Sequence, residues 1–193
     1  MSVLNKVKKI IKTAWLTLIF CILFFFLIIF SIQYNLLNLF GGMPSLQDLE
    51  KPQSELSSEL YSSDTVLLGK YFRYNRSPIK YKELSKELIT TLLVTEDIRF
   101  YEHSGIDFKG LVRASYGLFK NTITFGNSGL EGGGSTITQQ LAKNLFKIRN
   151  ERKGKLGNIP FLGLVISKTK EWIVALKLEE FYTKNEILSM YLN

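Results

Sequence analysis

From Thr13 to Gln47 the chain carries no charged residue. The centre of that run, "AWLTLIFCILFFFLIIFSI", is almost continuous hydrocarbon. A helix rises about 1.5 Å per residue, so roughly 20 apolar residues cross a bilayer core of about 30 Å. A buried helix of a globular domain is apolar along one stripe rather than all round. A cleaved signal peptide has a shorter apolar region and a small-x-small cleavage site, and the following "SIQYNLLNLF" offers none. The sequence therefore predicts an uncleaved membrane anchor over residues 13–34. Lys6, Lys8, Lys9 and Lys12 precede it. They place residues 1–12 in the cytoplasm as a basic tail, and everything after about residue 35 outside. Cys21 lies within the span, where it reads as apolar filling with no internal disulfide partner.

A length of 193 residues suits one compact domain plus an appendage. The net charge of +8 suggests nucleic acid, anionic lipid or a phosphorylated ligand. The strongest basic cluster lies beside the membrane, where anionic lipid is its natural counterpart. Recognition-helix and zinc-finger spacings are missing, so no nucleic acid is expected. One histidine and one cysteine leave no thiolate or imidazole metal site. No G-x-S-x-G nucleophile elbow occurs.

Residues 35–56 read as a juxtamembrane linker, with recurring Gly, Pro and Ser. "SELYSSDTVLLGKYF" predicts two short strands around a turn. From Lys82 onward the apolar spacing is helical. Asp107 is placed to cap "FKGLVRASYGLFK". Thr136 and Gln139 form a capping-box pattern before "ITQQLAKNLF", and a long helix is expected from about Leu164 to Tyr182. Thr183 and Glu186 cap a last helix that reaches the end of the chain. The expected fold class is mostly α, with one short β-hairpin and one N-terminal transmembrane helix.

Two carboxylates stand out. Glu96 ends a helix and shares the apolar face of Ile89 and Leu92. A helix C-terminus is already partly negative, so a carboxylate there is slightly unfavourable. Glu171 lies on the stripe of Val174, Ala175, Leu178 and Phe181. A frayed helix end explains the first equally well, and a structural Glu–Lys pair the second. Burying a carboxylate without partners costs several kcal/mol, so two such placements suggest a cleft with cationic partners. Paired cleft carboxylates are the usual proton-transfer agents at glycosidic carbons. "GGGSTITQQLAKN" adds a glycine loop leading into a helix, whose first N–H groups can face an anion. Gln139, Gln140 and Lys143 follow within two turns.

These stretches together resemble a known family. "EDIRFYEHSG" is similar to the E-D-x-x-F-x-x-H-x-G signature of the peptidoglycan glycosyltransferases of glycosyltransferase family 51. "GGSTITQQLAKN" resembles their second motif, "KTKEWIVALKLE" the third and "KNEILSMYLN" the fourth. The resemblance covers residues 57–193, and the anchor with its hairpin looks like the N-terminal part of a class A penicillin-binding protein. It implies a lysozyme-like helical domain at the outer face of the bacterial cytoplasmic membrane. It also implies lipid II and the growing glycan chain as substrates, polymerised by inverting transfer with release of undecaprenyl pyrophosphate. By motif, Glu96 corresponds to the general base and Glu171 to the second catalytic carboxylate. Asp97, Arg113, Gln139, Gln140, Lys143, Arg152 and Lys168 correspond to substrate-binding positions, and His103 to a loop-holding residue. No cofactor is firmly implied, although the resemblance leaves room for a divalent cation. Membrane lipid and other cell-wall synthesis proteins are the expected partners.

Three departures accompany the resemblance. The third motif has Ser167-Lys168 where Arg-Lys is usual, so one cation is missing. The stretch between Arg152 and Glu171 is longer than usual and contains the apolar "IPFLGLV". The chain stops at "YLN", before the closing helices expected of such a domain. The expectation is therefore an incomplete, C-terminally shortened domain. Two other readings compete: an inactive membrane-anchored protein that binds lipid II or partner proteins, and a lysozyme-like hydrolase.

Overall fold

Two units make up the chain, one from Met1–Met43 and Arg152–Lys170, the other from Pro44–Glu151 and Glu171–Asn193. The computed structural model describes residues 3–50, 58–71, 79–123, 133–149 and 154–193.

In the first unit the apolar run forms one helix, α1 (Val3–Gln33). The four lysines of the expected tail belong to this helix and extend its first turns. Residues Asn5–Gln33 are long and apolar enough to cross a membrane. Trp15, Phe20, Phe25 and Phe26 all point outward, as a helix solvated by hydrocarbon requires. Thr13 and Thr17 return their hydroxyls to the carbonyls of Lys9 and Thr13, so neither leaves a polar group unsatisfied along the span. Left-handed backbone at Asn35, Leu37 and Asn38 then turns the chain out of the helix.

The turn leads into a device that the linker reading did not anticipate. Lys170 is 1% exposed, and its ammonium donates to the carbonyls of Phe40 (2.7 Å) and Gly41 (2.8 Å). A buried ammonium needs such acceptors, because desolvation alone costs several kcal/mol. Leu156 N–H donates to Leu39 O at 2.9 Å, and Gly154, at φ +65°, lies against the backbone of Phe40 and Gly41, where no side chain fits. The same unit contains the start of α6 (Pro160–Phe181). That helix begins four residues before the expected Leu164, because Pro160 occupies its first position, where a missing N–H is harmless.

The second unit opens with a short helix, α2 (Leu46–Glu50), inside the supposed linker. Leu49 is fully buried, and Tyr182 Oη donates to the carbonyls of Leu49 and Glu50. The expected hairpin follows as β1 (Ser58–Tyr61) and β2 (Leu67–Tyr71), antiparallel with Ser58 opposite Tyr71 and a register shift at Leu60/Tyr61. Helix α3 (Lys86–Glu96) is capped by Ser85, and a short turn over Tyr81–Glu83 precedes it. Helix α4 (Phe108–Ile123) starts at Asp107, whose carboxylate accepts from Gly110 N–H at 3.0 Å, as expected of a cap.

Helix α5 (Ile137–Leu145) lies at the centre. Ile137, Leu141 and Ala142 are buried, as are Val174, Ala175 and Leu178 of α6 and Ile187 and Leu188 of α7 (Lys184–Leu192). Each such aliphatic side chain contributes about 1.5–3 kcal/mol by leaving water. Helix α7 has the full capping box, Thr183 to Glu186 N–H and Glu186 to Thr183 N–H. Helix α5 has only half of one: Thr136 accepts from Gln139 N–H, but the Gln139 amide turns away to Gly105 O. At the chain's end Asn193 pairs with Ile79 in both directions, its Nδ2 donating to Ile79 O and its Oδ1 accepting Ile79 N–H.

Gly105 anchors the loop below α5. Its φ is +86°, and a Cβ there would lie 2.9 Å from Ala175 O. The Gly105→Ala variant should therefore lose about 1–3 kcal/mol, from left-handed strain together with overpacking. Thermal unfolding in detergent checks this; an unchanged midpoint would show that the loop moves away from α6 without penalty.

Candidate functional site

The end of α3 delivers two adjacent carboxylates to opposite surroundings. Glu96, the last helical residue, is exposed. Asp97, its C-cap, is 7% exposed. The burial expected of Glu96 on its apolar face thus falls on its neighbour. The backbone leaves helical geometry at Asp97 (φ −159°, ψ 76°), and the Asp97 side chain turns inward.

Asp97 is fully engaged. His103 Nε2 lies 3.1 Å from both of its oxygens, and Ile137 N–H donates to Oδ2 at 3.1 Å. The first turn of α5 therefore receives an anion from within the chain, which satisfies an otherwise orphaned N–H and meets the positive end of the helix dipole. The sequence reading left that turn open for a ligand. The loop between is held by Thr136 Oγ1 and Gln139 Nε2, both donating to Gly105 O.

Glu96, Asp97 and Arg113 line one cavity of about 380 Å³, together with Arg99, Asp107, Gly133, Gly134 and Ser135. Arg113 is exposed there and makes no ion pair with another described residue. Glu96 Oε2 accepts from Gln140 Nε2 at 2.7 Å, so Gln140 belongs beside this carboxylate. Gln139 is 2% exposed and committed to Gly105. Lys143 is half-buried on α5, and its side chain makes no hydrogen bond or ion pair with another described residue.

Glu171 sits at 1% exposure on α6, and Arg149 Nε donates to its Oε1 at 2.8 Å. The expected cationic partner exists, but it is an arginine that the motif reading did not single out. Lys168 lies half-buried on α6 in the other unit. Arg152 falls outside the described residues. Also unforeseen is a partly buried network in which Thr138 Oγ1 (2.6 Å) and Lys184 Nζ (2.8 Å) both donate to Glu179 Oε1. Lys184 also donates to His103 O at 2.6 Å and lies 4.2 Å above the Phe100 ring. Glu179 follows Glu171 by about two helical turns, a spacing that could have revealed it. Among the described residues no group of three or more His, Cys, Asp or Glu is arranged to hold a metal ion.

One charge in the cavity wall makes folding sensitive to acid. Burial pushes the Asp107 carboxyl up, but the Arg99 guanidinium at 2.5 Å and the Gly110 N–H outweigh it, leaving the group below its ordinary value. A depressed folded-state value means that the stabilisation is complete above the unfolded value of about 3.9, and is lost as pH falls through the folded one. Asp107→Asn keeps a capping side chain and removes the charge. Its stability should fall less steeply than that of the natural chain below about pH 4, as read by unfolding midpoints across pH. Parallel curves would remove Asp107 from the acid response.

The family model described as Transglycosylase matches residues 64–193. Among curated proteins, penicillin-binding protein 1A of Vibrio cholerae is 32% identical over 185 residues, 96% of this chain and 20% of that protein. Penicillin-binding protein 1A of Escherichia coli is 32% identical over 151 residues, 78% of this chain and 16% of that protein. Penicillin-binding protein 1F of Bacillus subtilis is 38% identical over 137 residues, 71% of this chain and 17% of that protein. The chain thus spans about a fifth of the length of the first curated relatives it matches. With the family match extending from the hairpin to Asn193 and taking in both Glu96 and Glu171, the chain belongs to the transglycosylase family.

Proposed function

We propose that this chain is a membrane-anchored peptidoglycan glycosyltransferase that polymerises lipid II at the outer face of the bacterial cytoplasmic membrane. The observation that carries the proposal is Glu96: an exposed carboxylate on a cavity wall, directed by Gln140 and accompanied by the exposed Arg113. Glu96 takes the proton from the 4-hydroxyl of the acceptor sugar as that oxygen attacks the anomeric carbon of the donor. The bond from that carbon to the pyrophosphate oxygen breaks on the opposite face, and the configuration inverts. Undecaprenyl pyrophosphate leaves with the bonding electron pair, its charge met by Lys143 and Arg113. Glu171, fixed by Arg149, is the second carboxylate of the reaction. Helix α1 holds the chain in the same bilayer as its lipid-linked substrate, with the lysine end in the cytoplasm. Domain limits of 13–34 for the anchor and 57–193 for the transferase fit this reading.

The Glu96→Gln variant keeps shape and hydrogen bonding but cannot accept a proton. Polymerisation of lipid II should fall by about 10²–10⁴-fold, while binding of lipid II is retained. Near-natural rates in the variant would remove Glu96 from the base role. If the unsubstituted chain binds lipid II but never polymerises it, the inactive binding reading is the correct one.

Lys143→Ala tests the phosphate side. Loss of one charge-assisted contact should weaken lipid II binding about tenfold or more. Binding of a sugar analogue without the pyrophosphate should change much less. Equal losses for the two ligands count against a phosphate role for Lys143.

A further inference from the structure

The Gln140 side chain uses both ends of its amide. Its Nε2 donates to Glu96 Oε2 at 2.7 Å, and its Oε1 accepts from Tyr191 Oη at 3.0 Å. Gln140 lies on α5 and Tyr191 on α7, two helices that pack against each other. The line from Tyr191 to Glu96 therefore crosses three helices through three side chains.

The chemistry of these groups gives the line a direction. An ionised carboxylate only accepts hydrogen bonds, so the amide must turn its NH2 towards Glu96. That leaves the amide oxygen facing Tyr191, which must donate. The phenol is suited to donate. Burial first, and then the negative charge of Glu96, hold the Tyr191 hydroxyl above its ordinary value, so it keeps its proton. The two ends of a primary amide are nearly alike in shape, and packing alone cannot tell them apart. The acceptor-only carboxylate at one end can, and the Tyr191 hydroxyl then donates to the other end and holds the amide in place. Were the amide reversed, its oxygen would face the Glu96 carboxylate and its NH2 would face the phenol.

We propose that Tyr191 is a positioning residue of the reaction: by fixing the Gln140 amide it engages Oε2 of Glu96 and leaves Oε1 as the oxygen that takes the proton. Oε1 accepts no hydrogen bond from another described residue, and the Glu96 carboxylate lines the cavity. The inference rests on the reading of Glu96 as general base. It gives a role to the tyrosine of "SMYLN", which the motif resemblance left without one.

A double-mutant cycle in the complete membrane-anchored protein tests the relay. Tyr191→Phe keeps the ring and removes the donor. It should lower the polymerisation kcat by about 3- to 10-fold, the effect of one hydrogen bond, with KM for lipid II unchanged. Gln140→Ala should lower kcat at least as much, and the double variant should be no slower than Gln140→Ala alone. Multiplicative losses, or a KM effect without a kcat effect, overturn the relay. Carbon-13 NMR of the labelled Glu96 carboxyl gives a readout that needs no turnover. Its signal should move on Tyr191→Phe and not on Tyr191→Phe in the Gln140→Ala background. An unmoved signal in the first comparison overturns the relay even where polymer forms. If the unsubstituted protein forms no polymer while the signal moves as expected, the polymerising activity falls and the hydrogen-bond relay stands.

Discussion

The carboxylate of Asp97 is the point at which three segments meet. It closes the end of α3, accepts from His103 of the following loop and accepts from the first N–H of α5. At 7% exposure these bonds are formed away from water, where an unmade one costs about 1–3 kcal/mol. The exposed Glu96 inherits its direction from this buried neighbour. Because the backbone between them is fixed on one side by α3 and on the other by Asp97, the Glu96 carboxylate has little freedom beyond its own side-chain torsions.

Charge is buried elsewhere in this unit, each time with a partner. Glu171 has Arg149, and Glu179 has Lys184 and Thr138. Such pairs add little net stability compared with apolar packing, but removing one member strands the other. Their effect is to fix position. Lys184 reaches His103 O and the Phe100 ring from the first turn of α7, so the loop after α3 is held from above by α5 and from the side by α7. Gln140 and Tyr191 join the same two helices to Glu96.

Much of this was legible in the sequence. The long apolar N-terminal helix followed from a run free of charge, the hairpin from its turn residues, and the helix starts from Ser, Thr and Asp caps. What could not be read was which of two adjacent carboxylates turns inward. Helical periodicity puts Glu96 on the apolar face, but it holds only while the helix continues, and the chain leaves helical geometry at Asp97. The Gln139 pattern misled in a similar way: a capping box needs the glutamine to turn back, and the open carbonyl of Gly105 competed successfully for its amide. Arg149 and the seat of Lys170 depend on chain segments far apart in sequence, joined only by the fold. The linker looked featureless because its useful groups are backbone carbonyls, which composition does not display.

The occupied N-terminus of α5 bears on inhibitor chemistry. A helix start preceded by glycines invites anionic compounds that mimic a pyrophosphate, since free N–H groups and the dipole would hold them. Here the Ile137 N–H is already given to Asp97, and the Gln139 N–H to Thr136. A competing anion at that point would have to expel a carboxylate that also orients His103, so occupancy and collapse of the site would come together. Negative charge carried instead to Arg113, which lines the cavity and whose side chain no other described residue engages, displaces nothing.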